Sequence, residues 1–131
     1  MKAVEYFNQG YSCSESIIME AIDKGLVSKD LLSVATPFSG GMGVGCLCGA
    51  IAGSQIVLGA LYGRENLNNN DNIARIKAKQ FIEEFMKNHK ATCCRVLTSG
   101  MNMASSERKA HCSNMVDDCS KILEEIIKVK V

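Results

Sequence analysis

The 131-residue chain contains no tryptophan, and only 5% of its residues are aromatic. Hydrophobic residues make up 47%, enough for one core of ordinary domain size, and that core must be aliphatic, with methionine and alanine. No long run of one charge sign occurs, and the formal net charge is +1. A nucleic-acid binder normally carries a basic stripe, so that class of function is not expected. The opening residues, MKAVEYFNQGYSCSES, contain no apolar h-region. A secretory signal is therefore not expected, and the expected setting is the reducing cytoplasm.

Strand-like alternation is also missing; apolar residues recur at helical spacing almost throughout. A short helix is predicted over 2–8, before Gly10. SCSE then forms a capping box, with Ser12 as N-cap and Glu15 three residues on. The helix it opens carries Ile17, Ile18, Ala21 and Ile22, and stops at Gly25. Ser28 caps a short helix in KDLLSVA. Pro37 ends it, because the residue before proline avoids helical geometry. Residues 40–45 read as a glycine loop, and 47–62 as a third main helix. RENLNNND is a polar connection. Asn70 or Asp71 then caps a long helix with Ala74, Ala78, Phe81, Ile82, Phe85 and Met86 on its apolar face. Thr92 caps a short helix or turn in CCRVL, closed by Gly100. The last helix starts near Ser105 and carries Cys112, Met115, Val116, Cys119, Ile122, Leu123, Ile126 and Ile127 in one stripe.

The stretch GGMGVGCLCGAIAGSQIVLGALYG, residues 40–63, is uncharged up to its final glycine. It lacks a G-x-G-x-x-G fingerprint, and no GK[ST] follows, so a nucleotide loop is not expected. A membrane span needs about 20 mostly apolar residues. Pro37 and the glycine loop interrupt the run, and Ser54 and Gln55 sit mid-helix. The stretch therefore reads as a buried central helix, with no membrane insertion. Gly45, Gly49 and Gly53 are spaced four apart, as are Gly59 and Gly63. On a helix this makes a smooth groove for close backbone approach. Each such glycine costs about 1 kcal/mol relative to alanine, which points to close packing or to something bound beside the helix.

Seven cysteines cannot all pair within the chain, and in a reducing compartment they point to metal binding or catalysis. Cys13 follows the N-cap Ser12. Cys93 and Cys94 follow Thr92. Cys46 and Cys48 sit where the glycine loop becomes helix. A helix N-terminus stabilises a thiolate and lowers its pKa, and the thiolate is both nucleophile and soft-metal ligand. Cys112 heads the last apolar stripe beside His111, a sequence neighbour that faces elsewhere on a helix. Cys119, deep in that stripe, reads as a small buried hydrophobe. Cys46 and Cys93 each flank a stronger candidate. The C-L-C and C-C spacings match structural zinc knuckles poorly, and no thioredoxin-type C-x-x-C is present. Dispersed thiols can still converge on a metal or an iron–sulfur cluster, or exchange disulfides in pairs.

CGAIAG, residues 48–53, resembles the CGAxxG motif of the redox-active C_GCAxxG_C_C family, whose name marks one cysteine before the motif and two after it. The leading cysteine is similar to Cys13 in GYSCSES. The third is similar to Cys94, since CRVL resembles the family's C-x-x-L segment, and the fourth is similar to Cys112. The resemblance runs over about residues 7–127. It implies a redox role resting on Cys13, Cys48, Cys94 and Cys112. A similar module beside haem domains in a cytochrome, where an iron–sulfur centre has been proposed, adds that cofactor to the expectation. Cys46, Cys93 and Cys119 lie outside the four-cysteine pattern. They leave Cys46 or Cys48, and Cys93 or Cys94, open as the functional member of each pair. No C-x-x-C-H is present, so covalent haem is not expected.

The expectation is a single all-α domain over residues 1–131, a compact helical bundle around the glycine-rich helix. Its function would be that of a small intracellular redox protein whose thiols either ligate an iron–sulfur cluster or exchange disulfides as an oxidoreductase. An unidentified redox protein would be its partner, and a homodimer is compatible with the sequence. The competing reading is a non-catalytic zinc or interaction module with buried cysteines.

Overall fold

The computed structural model describes residues 1–68, 72–101 and 105–128. Among the described residues, two helices open on a serine whose hydroxyl accepts from a first-turn amide. α1 (Ala3–Gln9) ends at Gly10 in left-handed geometry, φ 116°. α2 (Cys13–Asp23) opens with the capping box: the Ser12 hydroxyl accepts from the Glu15 amide at 3.2 Å, and the Glu15 carboxylate accepts from the Ser12 amide at 3.0 Å. α3 (Leu31–Ala35) is shorter than predicted, because Lys29 and Asp30 form a turn in which the Ser28 hydroxyl accepts from the Asp30 amide.

Past α3, the helical path does not stop at Pro37 but tightens into a 3₁₀ turn, Thr36–Phe38. Thr36 keeps helical angles although proline follows. Its hydroxyl donates to the Glu15 carboxylate at 2.7 Å, a bond that ties this turn to the cap of α2. A second, wider turn, Gly41–Gly45, places Met42 and Gly43 in left-handed conformations.

α4 (Gly49–Tyr62) begins two residues later than predicted, with Cys48 as its N-cap. α5 (Ile73–His89) follows the polar connection, and the expected caps Asn70 and Asp71 lie outside the described residues. α6 (Cys94–Leu97) has Cys93 rather than Thr92 at its N-cap. α7 (Ser106–Lys128) is preceded by Ser105, whose hydroxyl accepts from the Arg108 amide at 3.1 Å. Among the described residues the architecture is all-α, and no helix is long and apolar enough to cross a membrane.

α4 is the central element. It packs on α2, α5 and α7, and Ala50, Ile51, Val57 and Leu58 on it are buried. Facing them are Ile17 and Ile18 of α2, Phe81 and Phe85 of α5, and Met115, Val116 and Leu123 of α7. Full burial of each large side chain contributes about 1.5–3 kcal/mol before entropy is counted. The glycine groove is narrower than predicted. A β-carbon at Gly53 would come within 2.7 Å of the Ser14 carbonyl oxygen, so α2 crosses α4 there. Nothing lies within 4 Å of a β-carbon built at Gly59, and Gly45 belongs to the wide turn. The packing face is thus the Gly49–Gly53 pair, one helical turn long.

Among the described residues two ionisable groups, Lys77 and Glu20, lie in this interior. Lys77, absent from the predicted face of α5, is 1% exposed; it donates to the Ile126 carbonyl at 2.8 Å and sits 4.8 Å from the centre of the Tyr62 ring. Met86, placed on that face by spacing, is 39% exposed instead. Glu20 on α2 accepts from the Ala3 amide at 3.2 Å and the Ser120 hydroxyl at 2.6 Å, joining α1, α2 and α7.

Candidate functional site

The two cysteine pairs of the middle chain meet through their backbones. Leu47 and Cys93 face each other in one antiparallel pairing. The Cys48 amide donates to the Thr92 carbonyl at 2.8 Å, and the Cys94 amide donates to the Cys46 carbonyl. Thr92 is therefore used as an acceptor for the segment opposite, which accounts for its absence from the cap. The Cys93 thiol donates to the Gly45 carbonyl at 3.0 Å, and Arg95 Nη2 donates to the Val44 carbonyl at 2.8 Å. These bonds fasten α6 to the wide turn and set Cys94 beside the start of α4.

Cys13 reaches the same place from the first residue of α2. Its Sγ lies against Gly49, where no side chain intervenes. The buried Ser14 hydroxyl donates to the Ala35 carbonyl at 2.8 Å and holds the start of α2 against the end of α3. Cys112 comes from the second turn of α7. Cys13, Cys48, Cys94 and Cys112 thus line one cavity of about 220 Å³, completed by Phe7, Leu97, Met115 and Arg108 among others. Cys46 and Cys93 do not line it; Cys46 is exposed and Cys93 is engaged with the turn. Cys119 is fully buried in the core, as its place in the stripe predicts.

All seven cysteines are free thiols. The expectation that helix N-termini would depress their pKa values is overturned at Cys13 and Cys48. Burial raises Cys13, against the opposing pull of the Gly40 and Ser14 backbone. Burial, followed by the neighbouring Cys13 thiol, raises Cys48 to about 12. A helix N-terminus contributes about 0.3–1 kcal/mol at exposed sites, too little to offset removal of a thiolate from water. Cys112 is also raised by burial, partly countered by the Arg108 charge four residues earlier. Cys119 is raised well above its ordinary value by burial.

Metal-free, Cys13, Cys48 and Cys112 therefore hold their protons at neutral pH. Cys13 and Cys94 oppose ionisation of Cys48 and of Cys112. Four thiols around one space are soft donors. Among the described residues, however, no three His, Cys, Asp or Glu side chains are gathered closely enough to hold a single metal ion. Among the described residues Arg108, which spacing alone did not single out, is the cation that lines this cavity. Its position four residues before Cys112, on the same face of a helix, was the available signal.

Fold and cavity together define, among the described residues, a small all-α protein whose four buried or partly buried thiols line one cavity. The chain belongs to the C_GCAxxG_C_C family, described as putative redox-active proteins, whose model matches residues 11–126. Comparison with curated proteins and with solved structures gives no match.

Proposed function

We propose that this redox-family protein is an electron carrier whose Cys13, Cys48, Cys94 and Cys112 ligate an iron–sulfur cluster. The observation that carries the reading is that these four thiols, from four different helix segments, line one cavity while Cys46, Cys93 and Cys119 do not. Four cysteines are the usual ligand set of such clusters. A single tetrahedral zinc would need its four sulfurs about 2.3 Å from one point. Among the described residues no three such side chains are gathered around one point, which weighs against a single zinc ion. When bound, the cluster supplies one-electron chemistry.

The chain's own residues supply the rest. Phe7, Leu97 and Met115 give the cavity an apolar lining beside the sulfurs. Gly49 lets Cys13 approach the start of α4. The thiols release their protons as metal binds, so loading is favoured by rising pH. The raised pKa values weigh against disulfide exchange, which needs a thiolate near ambient pH. The electron partner is a redox protein of the reducing cytoplasm.

Anaerobic reconstitution with iron and sulfide, followed by metal and sulfide analysis and a visible spectrum, tests this. Bound iron and sulfide, with colour that bleaches on reduction, is the expected result. Colourless protein with stoichiometric zinc would establish the zinc module instead. Metal-free protein whose thiols titrate reversibly would establish exchange.

A further inference from the structure

Beside the thiol cavity lies a second, more open pocket of about 290 Å³. Phe7, Arg108 and Cys112 line both spaces, so these side chains form the partition between them. The outer pocket also takes in Tyr11, Ser105 and Lys109. Two cations and two hydroxyls therefore border it, and among the described residues no Asp or Glu does. Arg108 and Cys112 stand one turn apart on the same face of α7. Lys109 is exposed at the rim. A concave surface bordered by cations and hydroxyls concentrates anions, and guanidinium forks match the oxygens of carboxylate and phosphate.

We propose that this outer pocket binds the oxyanion group of a small redox-active molecule, with Arg108 and Lys109 as anchors, and brings that molecule against the Cys112 edge of the thiol cavity. The site goes beyond the electron-carrier reading and stands whether the thiols hold a cluster or exchange disulfides. Its ligand chemistry is shared by the carboxylates of a low-molecular-weight thiol and the phosphates of a nucleotide cofactor.

The test uses the full chain, reduced and freed of metal with chelator. It is alkylated at one fixed pH with iodoacetate, an anion, or iodoacetamide, which is neutral. Mass spectrometry follows each cysteine. The ratio of the two rates cancels the thiolate fraction, and the exposed Cys46 serves as the reference. At low salt the iodoacetate preference at Cys112 should exceed that at Cys46 by about tenfold, the lower end of electrostatic focusing, and should decline with added salt. Lys109→Gln and Arg108→Gln should each reduce it, and Arg108→Lys should retain it. Protection of Cys112 by S-methylglutathione but not inorganic phosphate would assign the carboxylate class; protection by phosphate would assign the phosphate class.

The proposal is overturned by equal preference at Cys112 and Cys46, or by a preference that neither Lys109→Gln nor Arg108→Gln changes. Protection by neither probe, or a Cys112 inert to both reagents, overturns it as well. Lys109 is exposed, so its variant keeps the test valid even where Arg108→Gln perturbs folding.

Discussion

The Cys13 thiol rests against the backbone of Gly49 so closely that a β-carbon at position 49 would overlap its sulfur and come within 2.9 Å of the Phe38 carbonyl oxygen. One glycine therefore fixes how near α2 and the turn after α3 come to the start of α4. The first glycine of CGAIAG clears space for a thiol. The second, Gly53, clears space for the backbone of α2 at Ser14.

Gly49→Ala is expected to displace Cys13, since the overlap involves both a sulfur and a backbone oxygen. Overpacking costs about 1–3 kcal/mol, measurable as a lower urea midpoint. Iron retention should fall as well. Gly53→Ala should cost a similar amount while leaving the thiols in place. Equal iron retention in Gly49→Ala and the parent protein would separate the glycine from the site.

Single Cys→Ser variants should divide the cysteines by their place around the cavity. Changes in the shell behind metal ligands already weaken binding by about 10- to 100-fold. Serine at Cys13, Cys48, Cys94 or Cys112 should therefore reduce iron retention by at least tenfold under competition with a chelator. Serine at Cys46 or Cys93 should retain it. Loss of iron in the Cys46 variant, with retention in the Cys48 variant, would reverse the assignment.

Cys119→Ser should act on stability alone. The site is fully buried among apolar neighbours, and a hydroxyl there without a good partner costs about 1–3 kcal/mol. Cys119→Ala, which adds no polar group, should cost less. Iron content after reconstitution should match the parent in both; a loss would bring Cys119 into the site.

Acid should loosen the N-terminal half. The Ser12 amide holds the Glu15 carboxyl below its ordinary 4.5, with the Thr36 hydroxyl adding to the effect and burial opposing it. The Tyr6 hydroxyl, then the N-terminal ammonium, hold Asp23 below 3.8. Both groups bind protons more weakly when folded, so their stabilisation is complete above these values and is lost as pH falls through the folded ones. The urea midpoint should stay level near neutrality and decline below pH 4.5. Glu15→Gln should flatten part of that decline. A midpoint indifferent to acid in both proteins would contradict the assignment.

Much of the helical layout was legible because it rests on local signals. Ser12 and Glu15 cap α2 through atoms three residues apart, and the stripe from Met115 to Ile126 buries the face that 3.6-residue periodicity marks. The misses have a common cause. Thr92 fails as a cap because its carbonyl is taken by Cys48 from a distant segment. Lys77 is buried because the Ile126 carbonyl and the Tyr62 ring receive it, and neither partner is near in sequence. Gly59 leaves the packing groove because no neighbouring element reaches it.

The amino-acid sequence by itself determined the helices, the core stripe and the motif that marks the family, since each depends on residues within a few turns of one another. The sequence already favoured Cys48 and Cys94 through the motif, but only the tertiary structure showed that they line the cavity while Cys46 and Cys93 do not. That separation follows from the Leu47–Cys93 pairing and the crossing of α2 over Gly49, contacts between segments far apart in the chain. It also decided the protonation of Cys13 and Cys48, where the cost of burying a thiolate outweighs the helix N-terminus that the sequence displays.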